Sequence, residues 1–175
     1  IREVHEVIAR APGSPVGLAR LVERLASQLL TPEQARLVET SGPAVHVGAA
    51  QAGAVAMILQ ELFTNSRKHG SMSRPKGIIR IGWECTSDPD RIDLRLVWSE
   101  SGGPPAAAPV SFGVGLHLVQ GFAAAELRGG VEFRFGKDGF SCILRAKLAG
   151  PRAYAELSGP DSTMVIEKQH EQPSV

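Results

Sequence analysis

The amino-acid sequence predicts an α+β fold: a two-layer sandwich in which helices cover one face of a mixed, mostly antiparallel sheet. Three observations support this prediction. Helical periodicity dominates the first 70 residues, two pairs of strand-like segments follow, and one further helix lies between these pairs. Segregated helical and strand segments of this kind are typical of α+β domains.

Length and composition indicate one globular domain. The 175 residues are enough for one hydrophobic core and too few for two. The hydrophobic content of 43% and the charged content of 21% are ordinary for such a domain. The formal net charge of +1 argues against a nucleic-acid-binding surface, and no apolar run is long enough to span a bilayer. Because the chain begins with Ile1, we expect it to be a fragment of a longer protein or a processed chain.

The N-terminal helices are predicted from start signals and helical spacing. Residues 1–10 have a helical pattern that ends in the breaker sequence APGSP. Ser14 and Pro15 then open a helix as its N-cap and first-turn proline. The apolar positions of this helix recur at helical spacing: Leu18, Leu21, Val22, Leu25 and Leu29.

The strongest helical pattern comes next, after a short connecting region. Thr31 and Pro32 start a short segment, and ARLVET and AVHVG are short strand candidates. A helix is then predicted from about Ala49 to His69, ended by Gly70 as a C′ glycine. Its apolar stripe consists of Val55, Ile58, Leu59, Leu62 and Phe63.

Two pairs of strands are predicted in the second half of the chain. The turn composition TSDPD joins GIIRIGWEC to RIDLRLVW, and GKDG joins VEFRF to FSCILRAKL as a hairpin. Cys85 and Cys142 lie in these strands, and we expect both to be reduced thiols. Alternation in RIDLRLVW places four apolar side chains on one face: Ile92, Leu94, Leu96 and Trp98.

The segments between and after the strand pairs complete the predicted order. An aperiodic stretch rich in Gly, Pro and Ala leads into a helix from about Val114 to Leu127, which Gly129 and Gly130 end. Residues 150–175 have little apolar periodicity, so we expect a C-terminal tail or linker there.

Three polar motifs are candidates for a functional site. Glu61, Asn65 and Lys68 are spaced four and three residues apart, so they share one face of the long helix. By itself this stripe is better explained as a solvated helix face, and the two other motifs shift the balance towards a site. Glu100 follows a buried strand and precedes two glycines, which places a carboxylate acceptor where backbone can approach a ligand. Gly113 precedes a helix whose first amides favour an anion such as phosphate, although a lone G-x-G is weak evidence.

Taken together and in this order, the motifs resemble the ATP-binding domain of sensor histidine kinases. The matching motifs are ELxxNxxKHG, WxExGGPP, GxGL and a C-terminal hairpin with GFS, and they cover about residues 15–148. The resemblance implies the Bergerat-type ATP-binding fold of the superfamily shared with gyrase, Hsp90 and MutL. The nearest branch is HWE-like, named for a histidine in the first motif and Trp-x-Glu in the next. Gln60 stands where that branch has its histidine, so two of the three letters match.

The resemblance also implies a role for each matching residue. Asn65 would coordinate Mg²⁺ bridging the ATP phosphates, and Glu61 would act as a base or polariser near the γ-phosphate. Glu100 would accept the adenine amino group, and the loop Pro104–Phe112 would be the ATP lid. The remaining nucleotide contacts would come from Lys68, His69, Gly102, Gly103, Gly113, Gly115, Leu116 and Ser141.

The implied function is that of the catalytic domain of a two-component sensor histidine kinase. It would transfer the γ-phosphoryl group of ATP to a histidine on a companion dimerisation domain upstream in the same protein. A response regulator and, in the full-length protein, a second copy are the other expected partners, and neither nucleic acid nor direct membrane contact is expected. ATP use implies a cytoplasmic location. The expected division is 1–12 for the end of the dimerisation region, 13–149 for the ATP-binding domain and 150–175 for the tail.

One alternative stays open at this point: a non-catalytic or anti-sigma-factor-like partner-switch module of the same fold. Gln60, the short lid and the unplaced phosphoacceptor keep it open. His5 precedes a glutamate as in commoner kinases, but the expected Arg-x-Pro is not at the right spacing. We therefore expect the acceptor histidine to lie before Ile1. A gyrase-type enzyme is disfavoured because such chains carry transducer domains and this one is too short.

Overall fold

A computed structural model describes residues 15–108 and 112–153 of the chain. The expectations for residues 1–12, for the Ser14 cap and for the tail beyond residue 153 lie outside the described residues. The elements in chain order are β1 (Val16–Gly17), α1 (Leu18–Leu29), α2 (Pro32–Ala35), β2 (Val38–Ser41), β3 (His46–Val47), α3 (Ala49–Lys68), β4 (Ile78–Ser87), β5 (Arg91–Ser101), α4 (Val114–Ala125), β6 (Gly130–Gly136) and β7 (Gly139–Ala149).

One layer of the fold is a five-stranded sheet with the spatial order β2-β4-β5-β7-β6. The β2–β4 pairing is parallel, and the pairings β4–β5, β5–β7 and β6–β7 are antiparallel. The prediction of a mixed, mostly antiparallel sheet is therefore confirmed. A separate two-stranded pair, β1 with β3, lies outside this sheet.

The other layer consists of helices that cover one face of the sheet. The predicted apolar stripe of α3 is confirmed, since its five side chains are at most 1% exposed. The predicted face of β5 is confirmed as well, because Ile92, Leu94, Leu96 and Trp98 are all buried. Phe63 of α3 meets Trp98 edge to face, with ring centroids 4.8 Å apart. This contact joins the two layers next to the end of β5.

Strand β5 runs three residues beyond its predicted end at Trp98. Side chains alternate along a strand, so Glu100 is the next residue on the same buried face. It pairs with Ile79 of β4 and is only 8% exposed. The antiparallel register therefore places a carboxylate at the edge of the hydrophobic core.

The start of the first helix differs from the sequence-based prediction. Helix α1 begins at Leu18 with Gly17 as its N-cap, so the prediction that Pro15 lies in the first turn of this helix is wrong. The backbone around Val16 pairs with β3, where Val16 lies opposite Val47. That pairing requires extended backbone, so helical geometry begins only after it.

The end of α3 was predicted at the right place for a different physical reason. The helix ends at Lys68 with His69 as its C-cap, and Gly70 follows. Gly70 has a φ of −102°, so no left-handed conformation requires a glycine here. A Cβ at Gly70 would instead overlap Oε2 of Glu100. The glycine is needed for space beside that carboxylate.

The remaining predicted elements occur close to their expected positions. The β6–β7 hairpin forms as predicted, and α4 spans Val114–Ala125. Thr31 caps α2 in a reciprocal arrangement with Gln34. Cys85 and Cys142 are free thiols. In the described residues, no helix is both long and apolar enough to cross a bilayer.

Candidate functional site

A pocket of about 480 Å³ lies between the end of α3, the end of β5, the start of α4 and the β6–β7 hairpin. These four segments are far apart in sequence and meet here in the fold. The volume is within the usual range of about 300 to 1,000 Å³ for small-molecule sites. Seven residues that the sequence indicated line it: Asn65, His69, Glu100, Gly103, Gly113, Gly115 and Leu116.

Glu61 lies beside this pocket. A Cβ built on Gly115 would lie 2.6 Å from Oε2 of Glu61 and 3.6 Å from Nδ2 of Asn65. The first turn of α4 therefore rests against the polar face of α3, which brings the first and third sequence motifs together. Lys68 is exposed at the end of α3 and does not line the pocket.

Two other indicated residues lie away from the pocket lining. Gly102 has a φ of +72°, and a Cβ there would overlap the carbonyl oxygen of Lys76, so this glycine shapes the turn after β5. Ser141 pairs with Ser99 on the face of the sheet opposite to the core. Its neighbour Phe140 lines the pocket. The residues of β7 that line this pocket are therefore Gly139 and Phe140, and Ser141 is not among them.

Glu100 is held by three hydrogen-bond donors. Its Oε2 accepts from the Ser66 hydroxyl at 2.9 Å and from the Ser71 backbone N–H at 2.6 Å. Its Oε1 accepts from the indole N–H of Trp98 at 3.0 Å. Burial of a carboxylate is costly unless donors replace the lost water, and this network supplies them.

Sequence reasoning missed the residues that surround Glu100. Ser66 follows Phe63 by three positions, which places a hydroxyl on the apolar stripe of α3. A polar residue on a buried helix face needs a partner, and that was the available signal. Trp98 stands two residues before Glu100, so both side chains share one face of β5. That spacing predicts their contact once the strand is extended.

The hairpin contributes an aromatic wall. Phe135 and Phe140 both line the pocket, and their ring centroids are 5.3 Å apart. Gly139, with a φ of +132°, lets the hairpin backbone contact the carbonyl of Glu100. Phe112 packs edge-on against Phe133, with ring centroids 5.3 Å apart. Apolar ring surface therefore lies close to the buried carboxylate.

The N-terminus of α4 also lines the pocket. Gly113 is the N-cap, and the described residues contribute no side-chain hydrogen bond to this cap. The first amides of a helix have no partner within the helix, and the helix dipole makes this end attractive to anions. Asn65 also lines the pocket and adds an amide group there. The lining of the pocket thus includes both a carboxylate acceptor and amide donors.

Curated proteins with similar sequences are known, whereas no protein-family model matches the chain. A blue-light-activated histidine kinase of Brucella ovis is 31% identical over 105 residues, covering 60% of this chain and 22% of that protein. The namesake from Brucella anthropi is 24% identical over 139 residues, covering 79% of this chain and 28% of that protein. The chain therefore spans about a quarter of the length of these relatives.

Comparison with solved structures shows the same fold. The histidine kinase domain of the Erythrobacter litoralis EL346 blue-light activated histidine kinase matches with a TM-score of 0.60 and 16% identity, covering 87% of this chain and 71% of that one. The catalytic domain of histidine kinase ThkA, in a nucleotide-free form, matches with a TM-score of 0.55 and 14% identity, covering 79% of this chain and 99% of that one.

The sequence relatives and the fold agree with each other. The matched structures include an isolated catalytic domain that is covered almost completely. The blue-light-activated kinases among the relatives are consistent with the HWE-like branch. The chain is therefore similar in sequence to part of these histidine kinases, and it has the fold of histidine kinase catalytic domains.

Proposed function

We propose that the chain binds ATP with Mg²⁺ in this pocket and transfers the γ-phosphoryl group to a histidine on a companion dimerisation domain. One observation carries the proposal. A single pocket joins a buried, hydrogen-bonded carboxylate, Glu100, to the N-terminus of α4 beside Asn65, where the described residues supply no side-chain cap. A nucleoside triphosphate has matching ends, since its base carries an amine donor and its phosphates carry negative charge.

The base would occupy the end of the pocket at Glu100. The carboxylate is an acceptor and adenine carries an exocyclic amine, so the two groups are complementary. Phe135 and Phe140 supply apolar ring surface for a planar base. Gly103 lines the same end without a side chain, which leaves room for the base.

The phosphates would occupy the end of the pocket at α4. The first amides of the helix donate to phosphate oxygens, and Gly113 and Gly115 leave the backbone accessible. His69 lines the pocket and Lys68 is exposed next to it, so both can add donors near the phosphates. Leu116 would cover the phosphate end from the side of α4.

The residues at this end fit a magnesium ion that arrives with the phosphates. Magnesium takes one or two protein ligands and otherwise keeps waters and substrate phosphates. Asn65 would supply an amide oxygen, and when bound the ion would neutralise phosphate charge. Within residues 15–108 and 112–153, no group of three or more His, Cys, Asp or Glu side chains forms a metal cage. Glu61, adjacent to Asn65 on the polar face of α3, would polarise the attacking imidazole.

The partners follow from the same proposal. The acceptor histidine would lie upstream in the same protein, a response regulator would receive the phosphoryl group, and the full-length protein would be a homodimer. ATP use places the domain in the cytoplasm. The proposed division is an upstream dimerisation region ending near residue 12, an ATP-binding domain at 13–149 and a tail at 150–175.

Titration calorimetry with Mg²⁺ and ATP tests the binding site. The chain as given should bind with micromolar to millimolar affinity, and Asn65→Ala and Glu100→Ala should both abolish binding. Ser73→Ala is the control, because its hydroxyl donates to the Gly70 carbonyl in an exposed turn outside the pocket lining. Chelation of Mg²⁺ should weaken binding in the parent and the control alike.

A phosphotransfer assay tests the reaction. In the full-length protein, radiolabel from γ-labelled ATP should appear on a histidine, and Glu61→Gln should reduce the rate with little effect on ATP affinity. A folded parent chain that fails to bind ATP would contradict the proposal. That result would favour the non-catalytic partner-switch module, which keeps the fold without the nucleotide.

A further inference from the structure

The hydrogen bonds around Glu100 have a determined direction. The Ser66 hydroxyl lies 2.9 Å from Glu100 Oε2, and it must donate its one hydrogen because a carboxylate only accepts. The Met72 N–H donates to the Ser66 oxygen at 3.2 Å. The Ser71 hydroxyl, 3.2 Å from that oxygen, must then also donate to it. All hydrogen-bonding positions of Ser66 are therefore in use.

The acceptor positions of Glu100 are almost all filled. Each carboxylate oxygen can accept two hydrogen bonds. Oε2 accepts from the Ser66 hydroxyl and the Ser71 N–H, so it is complete. Oε1 accepts from the Trp98 indole N–H. In the part of the chain that the structure describes, one of the four positions stays open, on Oε1, and Glu100 lines the pocket.

The donors are themselves fixed in place. Trp98 and Ser66 are both completely buried. The indole of Trp98 packs edge-on against Phe63, and Ser66 belongs to the ordered last turns of α3. Gly70 lies directly over Oε2, where it blocks movement of the carboxylate in that direction. The orientation of Glu100 is therefore set by α3, the turn after it and β5 together.

We infer that Trp98 and Ser66 are positioning residues that select a 6-amino purine through Glu100. This inference rests on the proposed function and adds that base discrimination depends on two residues that do not touch the nucleotide. With Oε1 held in one orientation, its open position accepts one N–H of an exocyclic amine. A 6-oxo purine such as hypoxanthine presents a carbonyl oxygen there, which leaves two acceptors facing each other.

The test compares three ligands in the presence of Mg²⁺: ATP, inosine triphosphate and inorganic tripolyphosphate. Tripolyphosphate has no base and reports the phosphate end alone. Trp98→Phe removes the indole N–H and keeps an aromatic ring, and Ser66→Ala removes the hydroxyl. Each variant should lower ATP affinity about tenfold, the scale of one hydrogen bond to a charged group, with affinity for the other two ligands changed little. The ATP-to-inosine triphosphate affinity ratio should therefore fall about tenfold.

Two matched control variants test whether an effect comes from a change in the orientation of Glu100 or from a general destabilisation of the fold. Trp83 also lies on the buried face, but its indole N–H donates to the Pro43 carbonyl at 2.8 Å, and it does not line the pocket. Ser73 lies in the same turn as Ser71 and donates to the Gly70 carbonyl at 2.7 Å. Trp83→Phe and Ser73→Ala should leave the ligand affinity ratio at the parent value.

The outcomes distinguish this inference from the proposed function. If the parent binds ATP and both Trp98→Phe and Ser66→Ala keep its affinity ratio, the inference is wrong and the proposed function stands. An equal fall in the ratio for Trp83→Phe would also overturn it, because a core defect would then explain the effect. If Trp98→Phe does not fold by circular dichroism, Ser66→Ala decides. Failure of the parent to bind ATP at all would overturn both proposals.

Discussion

The first turn of α4 rests against the polar face of α3 through Gly115 and Glu61. A Cβ placed on Gly115 would lie 2.6 Å from Oε2 of Glu61, which is closer than real Cβ contacts allow. This position therefore admits glycine and excludes every side chain unless Glu61 moves. The motif that contains Glu61 and the motif that contains Gly115 are therefore in close contact in the fold, although they are far apart in the sequence.

Gly115→Ala should weaken ATP binding and slow phosphotransfer. The added methyl group displaces the Glu61 carboxylate or pushes the N-terminus of α4 away from the phosphate end. Calorimetric ATP affinity and the initial rate of phosphotransfer in the full-length protein measure the effect. We expect a loss of at least about tenfold in rate, the scale of a small misplacement of a positioned group.

Gly121 provides the control for that substitution. It lies in the same helix, and a Cβ there would have nothing within 4 Å. Gly121→Ala should leave activity unchanged and raise the free energy of unfolding by about 0.5 to 1 kcal/mol, because alanine stabilises a helix interior. Equal losses of activity for the two alanine variants would contradict the steric argument.

Glu100→Gln should destabilise the domain even without nucleotide. The amide NH₂ group of glutamine must face either the Trp98 N–H or the donors at Ser66 and Ser71. In either orientation a hydrogen-bond donor then faces another donor, and a buried hydrogen bond is lost. We expect a loss of about 1 to 3 kcal/mol in the free energy of unfolding, measured by urea denaturation. Glu132→Gln is the control, because Glu132 forms an exposed ion pair with Arg134 and should change stability little. A neutral effect of Glu100→Gln would show that the buried network contributes nothing.

The sequence predicted those features that depend on local periodicity. The apolar stripe of α3 and the alternation of β5 each follow from the geometry of one element, so the buried faces were found correctly. The Trp-x-Glu spacing already places Trp98 and Glu100 on one face of a strand. Only the length of β5 was needed to predict their hydrogen bond.

Features that depend on distant pairing could not be predicted in the same way. Ser66 meets Glu100 across 34 positions of sequence, and no local pattern records that contact. Whether Phe140 or Ser141 faces the pocket depends on the register of β7, because a shift of one residue moves every side chain to the opposite face of the sheet. The true start of α1 depends on the pairing of β1 with β3, which is also non-local.

Cys142 should make the stability of the domain fall at high pH. Burial raises the pKa of its thiol from 9.0 to about 12. The folded state therefore keeps a proton that the unfolded state loses between pH 9 and 12, so stability is full below pH 9 and decreases above it. Urea denaturation at several pH values should show a steeper loss in the parent than in Cys142→Ala, and equal slopes would contradict the assignment.

The reactivity of the two thiols gives an independent check on the same burial. Cys142 is completely buried, whereas Cys85 is partly exposed. Iodoacetamide at pH 8 should modify Cys85 in the native protein and leave Cys142 intact, with both modified in urea. Peptide mass spectrometry identifies the labelled site. Modification of Cys142 at the rate of Cys85 in the folded protein would show that the core around β7 opens readily.

Tryptophan emission should report occupancy of the pocket from one indole and not from the other. The chain has two tryptophans, so Trp83→Phe leaves Trp98 as the only tryptophan and Trp98→Phe leaves Trp83. Because the Trp98 indole N–H bonds to the oxygen that would accept the base, ATP with Mg²⁺ should change its emission, whereas tripolyphosphate should not. Trp83, bonded to the Pro43 carbonyl, should not respond to either ligand. A response of Trp98 to tripolyphosphate as large as its response to ATP would place the change at the phosphate end and contradict the assignment of Glu100 to the base.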